Sequence, residues 1–166
     1  MPTQDTSKIK EKIISFLRAK GPSLPVHIAK EIGTDTLFAS AFLSELISDR
    51  KIKTSNMKVG SSSLHYLKGQ EQKLENFSKH LNPREREAFE LIKDNKFLKD
   101  SELQPVMRVA MRSIKDFAIP FKKNNEIYWR YFSVPESEFP EKEQQQEKEP
   151  PKQEQQQEEK EQEKES

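Results

Sequence analysis

The composition of the chain changes abruptly at Val134, and this change limits how much of the sequence can fold. From Val134 to Ser166 the sequence is almost entirely Glu, Gln, Lys and Pro. A segment with so few apolar residues cannot bury enough surface to offset the conformational entropy that is lost on folding. We therefore expect residues 134–166 to form a disordered acidic tail, and the folded body to lie within residues 1–133.

Charge is divided unequally between the body and the tail. Residues 1–133 contain 24 Lys and Arg against 16 Asp and Glu, whereas residues 134–166 contain 5 Lys and 12 Glu. A basic body favours a polyanionic partner, but Lys and Arg also keep small domains soluble, and composition alone supports both interpretations equally. The tail could compete with a polyanion for the body, bind a basic partner, or only solubilise the chain.

The sequence offers no pattern that a metal, a cofactor or a catalytic nucleophile would require. It has no cysteine, no glycine-rich phosphate loop and no serine in a nucleophile elbow. The three histidines, His27, His65 and His80, do not have the spacing of metal ligands, and we expect His65 to face outward from a strand. We therefore expect a protein that is not an enzyme and that binds no cofactor and no metal.

The predicted location of the protein rests on two further absences in the sequence. No apolar run approaches the roughly 20 residues that span a bilayer, and the first six residues lack the apolar segment of a signal peptide. Together with the lack of cysteine, this predicts a soluble, cytoplasmic protein without a membrane partner.

Periodicity predicts three helices followed by two short strands. Gly21-Pro22 ends the first helix, and Gly33 ends the second and permits a tight turn. The third helix has apolar residues on more than one stripe, from Leu37 to Ile47, so it is expected to be well buried. The predicted helices are 7–20, 25–32 and 36–49, and the predicted strands are 51–54 and 63–67 with a polar loop between them.

Three short motifs within this region resemble a known family. Residues 24–34, LPVHIAKEIGT, resemble the start of a helix-turn-helix, and residues 42–52 resemble the exit from a recognition helix into a wing. Residues 64–67 resemble the returning strand of that wing. The segment 1–69 is thus similar to the winged helix-turn-helix DNA-binding family, in particular to archaeal winged-helix proteins. This resemblance covers about 60 residues and implies a fold more specifically than a function.

The remaining body repeats the same order of elements. After a connecting helix at 70–81, Asn82-Pro83 begins a helix that Phe97-Leu98 closes, and Pro105 begins another that runs to about Phe117. Segments 119–122 and 127–132 flank Asn124-Asn125 as a hairpin. We interpret residues 82–133 as a second winged-helix-like domain, with a helical extension of the first domain as the alternative. The predicted fold class is mainly α with small β-hairpins, as tandem winged helix-turn-helix domains plus a disordered C-terminal tail.

The third helix and the wing supply one candidate nucleic-acid surface. Burial of Ala39, Leu43 and Leu46 would turn a row of hydroxyl side chains outward, and these can bond phosphates or bases. None is Arg, Asn or Gln, so sequence-specific reading should be weak. Basic residues at the exit of the helix and on the wing suit phosphate contact, although they are equally interpreted as a solvated rim. The candidates are Thr36, Ser40, Ser44, Arg50, Lys51, Lys53 and Lys58.

The helix that begins at Pro105 supplies the sharper candidate. If its core face comprises Val106, Val109, Ala110, Ile114 and Phe117, then Arg108, Met111, Arg112 and Lys115 share the outer face. Arg112 is the strongest candidate for base or phosphate contact, and Lys122 and Lys123 add charge at the hairpin turn. Such a basic stripe also occurs on helices that bind nothing. The aromatic residues Tyr128, Trp129, Tyr131 and Phe132 are interpreted mainly as core, with stacking on unpaired bases as the alternative.

These observations favour a DNA-binding protein, either a transcriptional regulator or a chromatin-type factor, that contacts double-stranded DNA mostly through phosphates. The alternative is a protein-interaction scaffold within transcription or RNA-processing machinery, because Phe38 and Phe42 are expected to be partly exposed. RNA binding is a third interpretation, and the sequence leaves open whether the chain forms a homodimer.

Overall fold

The computed structural model describes residues 2–140, with side chains from Thr6 onward. The chain divides into two compact units, Met1–Val134 and Pro135–Ser166. The described part of the second unit contains a single 3-10 turn, Glu136–Glu138. The rest of the segment for which the sequence predicts disorder, residues 141–166, lies outside the described residues.

The first half of the larger unit contains three helices and a hairpin, in the order of a winged helix. Its elements are α1 (Pro2–Lys20), α2 (Pro25–Ile32), α3 (Thr36–Ser48), β1 (Lys53–Val59) and β2 (Ser62–Tyr66). The three predicted helices are confirmed. The strand β1 is longer than predicted and takes up most of the expected loop, so the wing is a fuller ribbon than periodicity indicated.

Local signals in the sequence explain the helix-turn-helix. Gly33 ends α2 with a φ of 74°, a left-handed conformation that glycine adopts without steric cost. Asp35 then caps α3, because its carboxylate accepts a hydrogen bond of 2.9 Å from the backbone N–H of Phe38. Ser23, between α1 and α2, pairs with His65 of β2 through two backbone hydrogen bonds of 2.8 and 2.9 Å. This pairing ties the wing to the start of the helix-turn-helix.

The second half combines two helices with a three-stranded antiparallel sheet. After a 3-10 helix (Glu71–His80) come α4 (Pro83–Asn95), β3 (Phe97–Lys99), a 3-10 turn (Asp100–Glu102), α5 (Pro105–Ser113), β4 (Ala118–Lys123) and β5 (Glu126–Tyr131). The strand order is β3-β5-β4. The prediction of a mainly α fold with small antiparallel hairpins is confirmed.

Backbone conformation corrects one prediction in this half and confirms another. Phe97 and Leu98 do not close a helix but lie in β3, because Lys96 adopts a left-handed φ of 67° that ends α4 and redirects the chain along β5. The tight hairpin turn is confirmed. Asn124 and Asn125 have φ values of 54° and 62°, the pair of positive angles that a two-residue type I′ turn requires.

The wing shares its hydrophobic core with the second half. Met57, Leu64 and Tyr66 belong to the same buried cluster as Phe117 and Trp129. A smaller cluster, formed by Ile13, Leu17, Ile28, Leu43, Leu46 and Ile52, fills the space between α1, α2 and α3. The hydrophobic face of the wing therefore packs against residues from the second half of the same compact unit.

A carboxylate fixes the bulge of β1 to the segment that follows α5. Asp116 accepts hydrogen bonds from the backbone N–H groups of Asn56, at 2.9 Å, and Met57, at 2.7 Å. The side-chain amide of Asn56 donates to the carbonyl of Ser113 at 2.9 Å. These bonds satisfy backbone donors where the ladder between β1 and β2 is interrupted, so the wing is held at a defined position relative to α5.

The expectation that His65 faces outward is wrong. Its side chain is buried, and its Nδ1 atom has no hydrogen-bond partner among residues 2–140. The strand β2 has three consecutive buried residues, from Leu64 to Tyr66, because the segment that contains Ser23 pairs with the edge of β2 at His65 and places additional chain beside it. Burial lowers the pKa of the His65 imidazole from its usual value of 6.5.

We expect the fold to lose stability as the pH falls below about 6.5, because the unfolded chain binds a proton at His65 that the folded chain excludes. The slope can reach about 1.4 kcal/mol per pH unit. Thermal unfolding of wild type and His65→Gln between pH 7.5 and pH 5 measures this difference. The matched control is His80→Gln, at an exposed position. Parallel pH profiles of wild type and His65→Gln would contradict the assignment.

Candidate nucleic-acid interface

The helix α5 presents a different face to the core from the one predicted. Val106 and Val109 were expected inside but are 54% and 66% exposed, whereas Met111 was expected outside and is fully buried. The helix also ends at Ser113, four residues earlier than predicted. The side that packs on the core carries Ala110 and Met111, with the partly buried Met107 beside them, and Ile114 continues it just after the helix ends. Flexible methionine side chains adapt readily to such a core.

Arg108 and Arg112 are held by a buried carboxylate that sequence analysis did not single out. Asp100 is 3% exposed, and one of its oxygens accepts from the Nε and a terminal nitrogen of Arg108 at 3.1 and 2.8 Å, and from Arg112 at 3.3 Å. Its other oxygen accepts from the indole N–H of Trp129 at 2.9 Å. The network, hereafter the Asp100 network, joins the turn after β3 to α5 and β5.

The Asp100 network stabilises the ionised form of the Asp100 carboxylate. Burial by itself raises the pKa of Asp100, but the Trp129 hydrogen bond and the two guanidinium groups outweigh it and lower the pKa below its usual value. The side chains of Arg108 and Arg112 remain 42% and 49% exposed. Both guanidinium groups are therefore fixed in position while still accessible to an external anion.

A groove beside α5 is lined by two of the predicted cations. Arg112 and Lys115 line it together with Ala118, Ile119, Pro120, Ile127 and Trp129, and its volume is about 490 Å³. Lys122 lies directly across from Ile127 in the β4–β5 register, and therefore on the same sheet face. Lys123, predicted with Lys122, lies across from Glu126 and is half-buried. Of the five predicted residues in this half, Arg112 and Lys115 line the groove, Arg108 shares Asp100 with Arg112, and Lys122 lies on the sheet face that carries Ile127.

The outer surface of α3 is more apolar than predicted. Thr36 and Ser44 are exposed and Ser40 is half-buried, so the predicted hydroxyl row exists. However, Leu37 and Phe38 are 79% and 59% exposed, and the expectation that Leu37 contributes to a well-buried helix is wrong. The reason is that Leu37 and Phe38 lie in the first turn, beyond the reach of the core cluster around Leu43 and Leu46.

The predicted basic residues of the wing region differ in whether they form an ion pair within the chain. Arg50, Lys51 and Lys58 are exposed. Lys53 is also exposed but pairs with Glu71 at 3.1 Å. Burial raises the pKa of Glu71, but hydrogen bonds from backbone N–H groups and from Lys53 outweigh it and lower the pKa. Part of the positive charge of the wing is therefore neutralised within the chain.

The aromatic residues of β5 belong to the core, as predicted. Tyr128, Trp129 and Tyr131 are buried, and Phe132 packs against the same cluster. Tyr131 donates a hydrogen bond from its hydroxyl to Glu75, and burial raises the pKa of this tyrosine far above its usual value. These rings do not form an exposed stacking platform.

Residues 2–140 also bear on metal binding and on membrane insertion. In that part of the chain, no three His, Asp or Glu side chains converge as metal ligands would. None of the helices described combines the length and apolar character needed to traverse a bilayer.

Comparison with known proteins gave two similar solved structures. No family model matches the chain, and no curated protein matches it. One similar structure is the Zalpha domain of PKZ from Carassius auratus in complex with Z-DNA, at 32% identity and a TM-score of 0.35, covering 38% of this chain and 97% of that one. The other is a hypothetical protein from Pyrobaculum spherical virus, at 19% identity and a TM-score of 0.40, covering 76% of this chain and 95% of that one. Both TM-scores are below 0.5.

Proposed function

We propose that this protein binds DNA, mostly through phosphate contacts, as a transcriptional regulator or a chromatin-type factor. Residues 82–133 would act as a second winged-helix-like element beside the winged helix of residues 1–69. The proposal also takes the protein to be a binding protein rather than an enzyme. The observation that carries it is the cationic cluster on and after α5, defined as Arg108, Arg112 and Lys115, within a body that has an excess of eight positive charges.

The geometry of the cationic cluster suits phosphate better than base edges. Two of its guanidinium groups already share Asp100 and are thereby oriented, which lowers the entropy lost when they engage an anion. Within residues 6–140, no ion pair involves Lys115. The exposed face of α5 otherwise carries Val106 and Val109, which cannot form the bidentate hydrogen bonds that distinguish bases. Binding that depends weakly on sequence follows from this arrangement.

The test is a double substitution that spares the core. In Arg112→Gln/Lys115→Gln, Arg108 still pairs with Asp100, so the fold should be retained. We expect affinity for a random duplex to fall about tenfold at low salt, and the slope of log Kobs against log salt to decrease by about two, because two phosphate contacts are lost. Fluorescence anisotropy at several salt concentrations measures both quantities.

The matched control removes the same charge from a different surface. Lys12→Gln/Lys30→Gln lowers the net charge by two at exposed positions on α1 and α2. Its salt slope should stay close to that of wild type. Equal losses in the two variants would mean that net charge, rather than the cationic cluster, governs binding. No binding by wild type even at low salt would refute the proposed function itself.

A scaffold role is the second candidate, and the exposure of Leu37 and Phe38 at the start of α3 favours it. Large apolar side chains on a recognition helix are more typical of a protein interface than of contact with a phosphate backbone. A protein partner that co-purifies with the full chain after nuclease treatment, and is lost in Phe38→Ser, would support this candidate.

A further inference from the structure

We propose that the groove between α5 and the β4–β5 hairpin binds an unpaired nucleobase of single-stranded DNA. Arg112 and Lys115 on one side and Lys122 on the other would hold the flanking phosphates. This inference rests on the proposed DNA binding and specifies which form of DNA the second half of the body recognises.

The groove has an apolar floor and a cationic rim. Its floor consists of the apolar lining residues Ala118, Ile119, Pro120, Ile127 and Trp129, of which Trp129 is only 4% exposed, and its volume is about 490 Å³. Pro120 lies across from Trp129, and Lys122 lies across from Ile127. These four residues share one face of the hairpin, with the cation Lys122 next to the apolar floor. Arg112 and Lys115 close the side next to α5. An apolar surface with positive charge on two sides complements a base with a phosphate on each side.

The size of the groove distinguishes between a base and a peptide. Seven residues line it, whereas an amphipathic helix needs a groove long enough for anchors at positions i, i+3, i+4 and i+7. A flat base needs only one compact pocket with apolar walls, as in proteins that hold an extruded base. The groove therefore favours a nucleotide over an acidic amphipathic helix.

Duplex DNA would leave this groove empty, because paired bases are stacked inside the double helix. The face of α5 that would enter a major groove exposes valine side chains and lacks bidentate base readers. An unpaired base can instead turn into the groove while its phosphates contact Arg112 and Lys115. Single strands should therefore gain a contact that duplexes cannot make.

The position of Trp129 in the groove provides a direct readout. It is the single tryptophan of the chain, so its intrinsic fluorescence reports on occupancy. The probes are dT15, an abasic 15-mer with the same phosphates, a blunt 15-base-pair duplex and an acidic amphipathic peptide, each titrated into the full chain at low salt. We expect dT15 to quench Trp129 and to bind about 5- to 10-fold more tightly than the abasic strand.

Two variants separate the base contact from the phosphate contacts. Ile127→Ser trims the half-exposed floor and should bring the affinities for dT15 and the abasic strand to within about twofold of each other. The matched control is Val109→Ser, an equally polar change on the exposed face of α5 outside the groove, which should preserve the difference. Lys122→Gln should weaken both strands alike.

Each alternative result overturns the inference. If dT15 and the abasic strand bind equally well and Trp129 is not quenched, the groove does not bind a base. If the duplex still binds in a salt-dependent way in that case, the proposed function is unaffected. Quenching by the acidic peptide and not by dT15 would assign the groove to a protein partner. No binding of any nucleic acid would refute the inference together with the proposed function.

Discussion

Replacing Asp100 by Ala is expected to lower the free energy of unfolding by about 2–4 kcal/mol. The substitution leaves the buried indole N–H of Trp129 without its acceptor, and a buried unpaired donor costs about 1–3 kcal/mol. It also removes charge-assisted hydrogen bonds to two arginines, although these side chains are half-exposed and recover part of that loss in water. Urea denaturation followed by Trp129 fluorescence measures the change.

The isosteric variant Asp100→Asn separates the hydrogen bond from the charge. The amide oxygen can still accept from Trp129, so the expected loss is smaller, about 1–2 kcal/mol. Equal destabilisation by Asn and Ala would show that the charge, and not the Trp129 hydrogen bond, carries the stability of the network. Unchanged stability of Asp100→Ala would contradict the structural role of the carboxylate altogether.

The charge of Asp100 also predicts a pH dependence with a definite sign. Because its pKa is lowered in the fold, its contribution to stability is complete above the unfolded value of about 3.9 and is lost as the pH falls through the folded value. The difference in the free energy of unfolding between wild type and Asp100→Asn should therefore be smaller in acid than at neutral pH.

Patterns local to the chain predicted several helix boundaries and a hairpin turn, in both halves of the body. Gly33, Asp35 and Asn82 each determine a helix boundary through their own backbone or side chain, so their effect is visible in a few consecutive letters. The turn at Asn124-Asn125 is of the same kind, because both positions need positive φ. Signals of this type do not depend on what packs against the element.

Features that depend on tertiary contacts could not be predicted in the same way. The orientation of α5 depends on which side chains fill a core shared with the wing. Met107 and Met111 contact that core, whereas Val106 and Val109 are exposed. His65 is buried because a segment more than forty residues earlier pairs with its strand. The local sequence does not indicate the role of Asp100, because its hydrogen-bond partners lie eight, twelve and twenty-nine residues away. The cationic residues of the site were predicted, but the carboxylate that positions them was not.

The second large effect concerns the core that the wing shares with the second half. Phe117 is fully buried, with its ring centroid 4.7 Å from that of Phe89 and 6.0 Å from that of Phe132. Truncation to Ala would leave a cavity among aromatic rings, and we expect Phe117→Ala to lower the free energy of unfolding by about 3–5 kcal/mol. The control Phe38→Ala, at an exposed ring, should change it by about 0.5 kcal/mol or less.

The region that Phe117→Ala destabilises distinguishes one cooperatively folded body from two independently folded domains. Because Leu64 and Tyr66 of β2 lie in the same cluster as Phe117 and Trp129, the slowly exchanging amides of the wing should lose protection together with the Trp129 transition. Hydrogen exchange of the β2 amides, compared with denaturation followed by fluorescence, tests this directly. Wild-type exchange in β2 alongside a shifted Trp129 transition would mean that residues 1–69 are stable without the second half. Coincident shifts would mean that the wing depends for its stability on the same core that supports α5 and the cationic cluster.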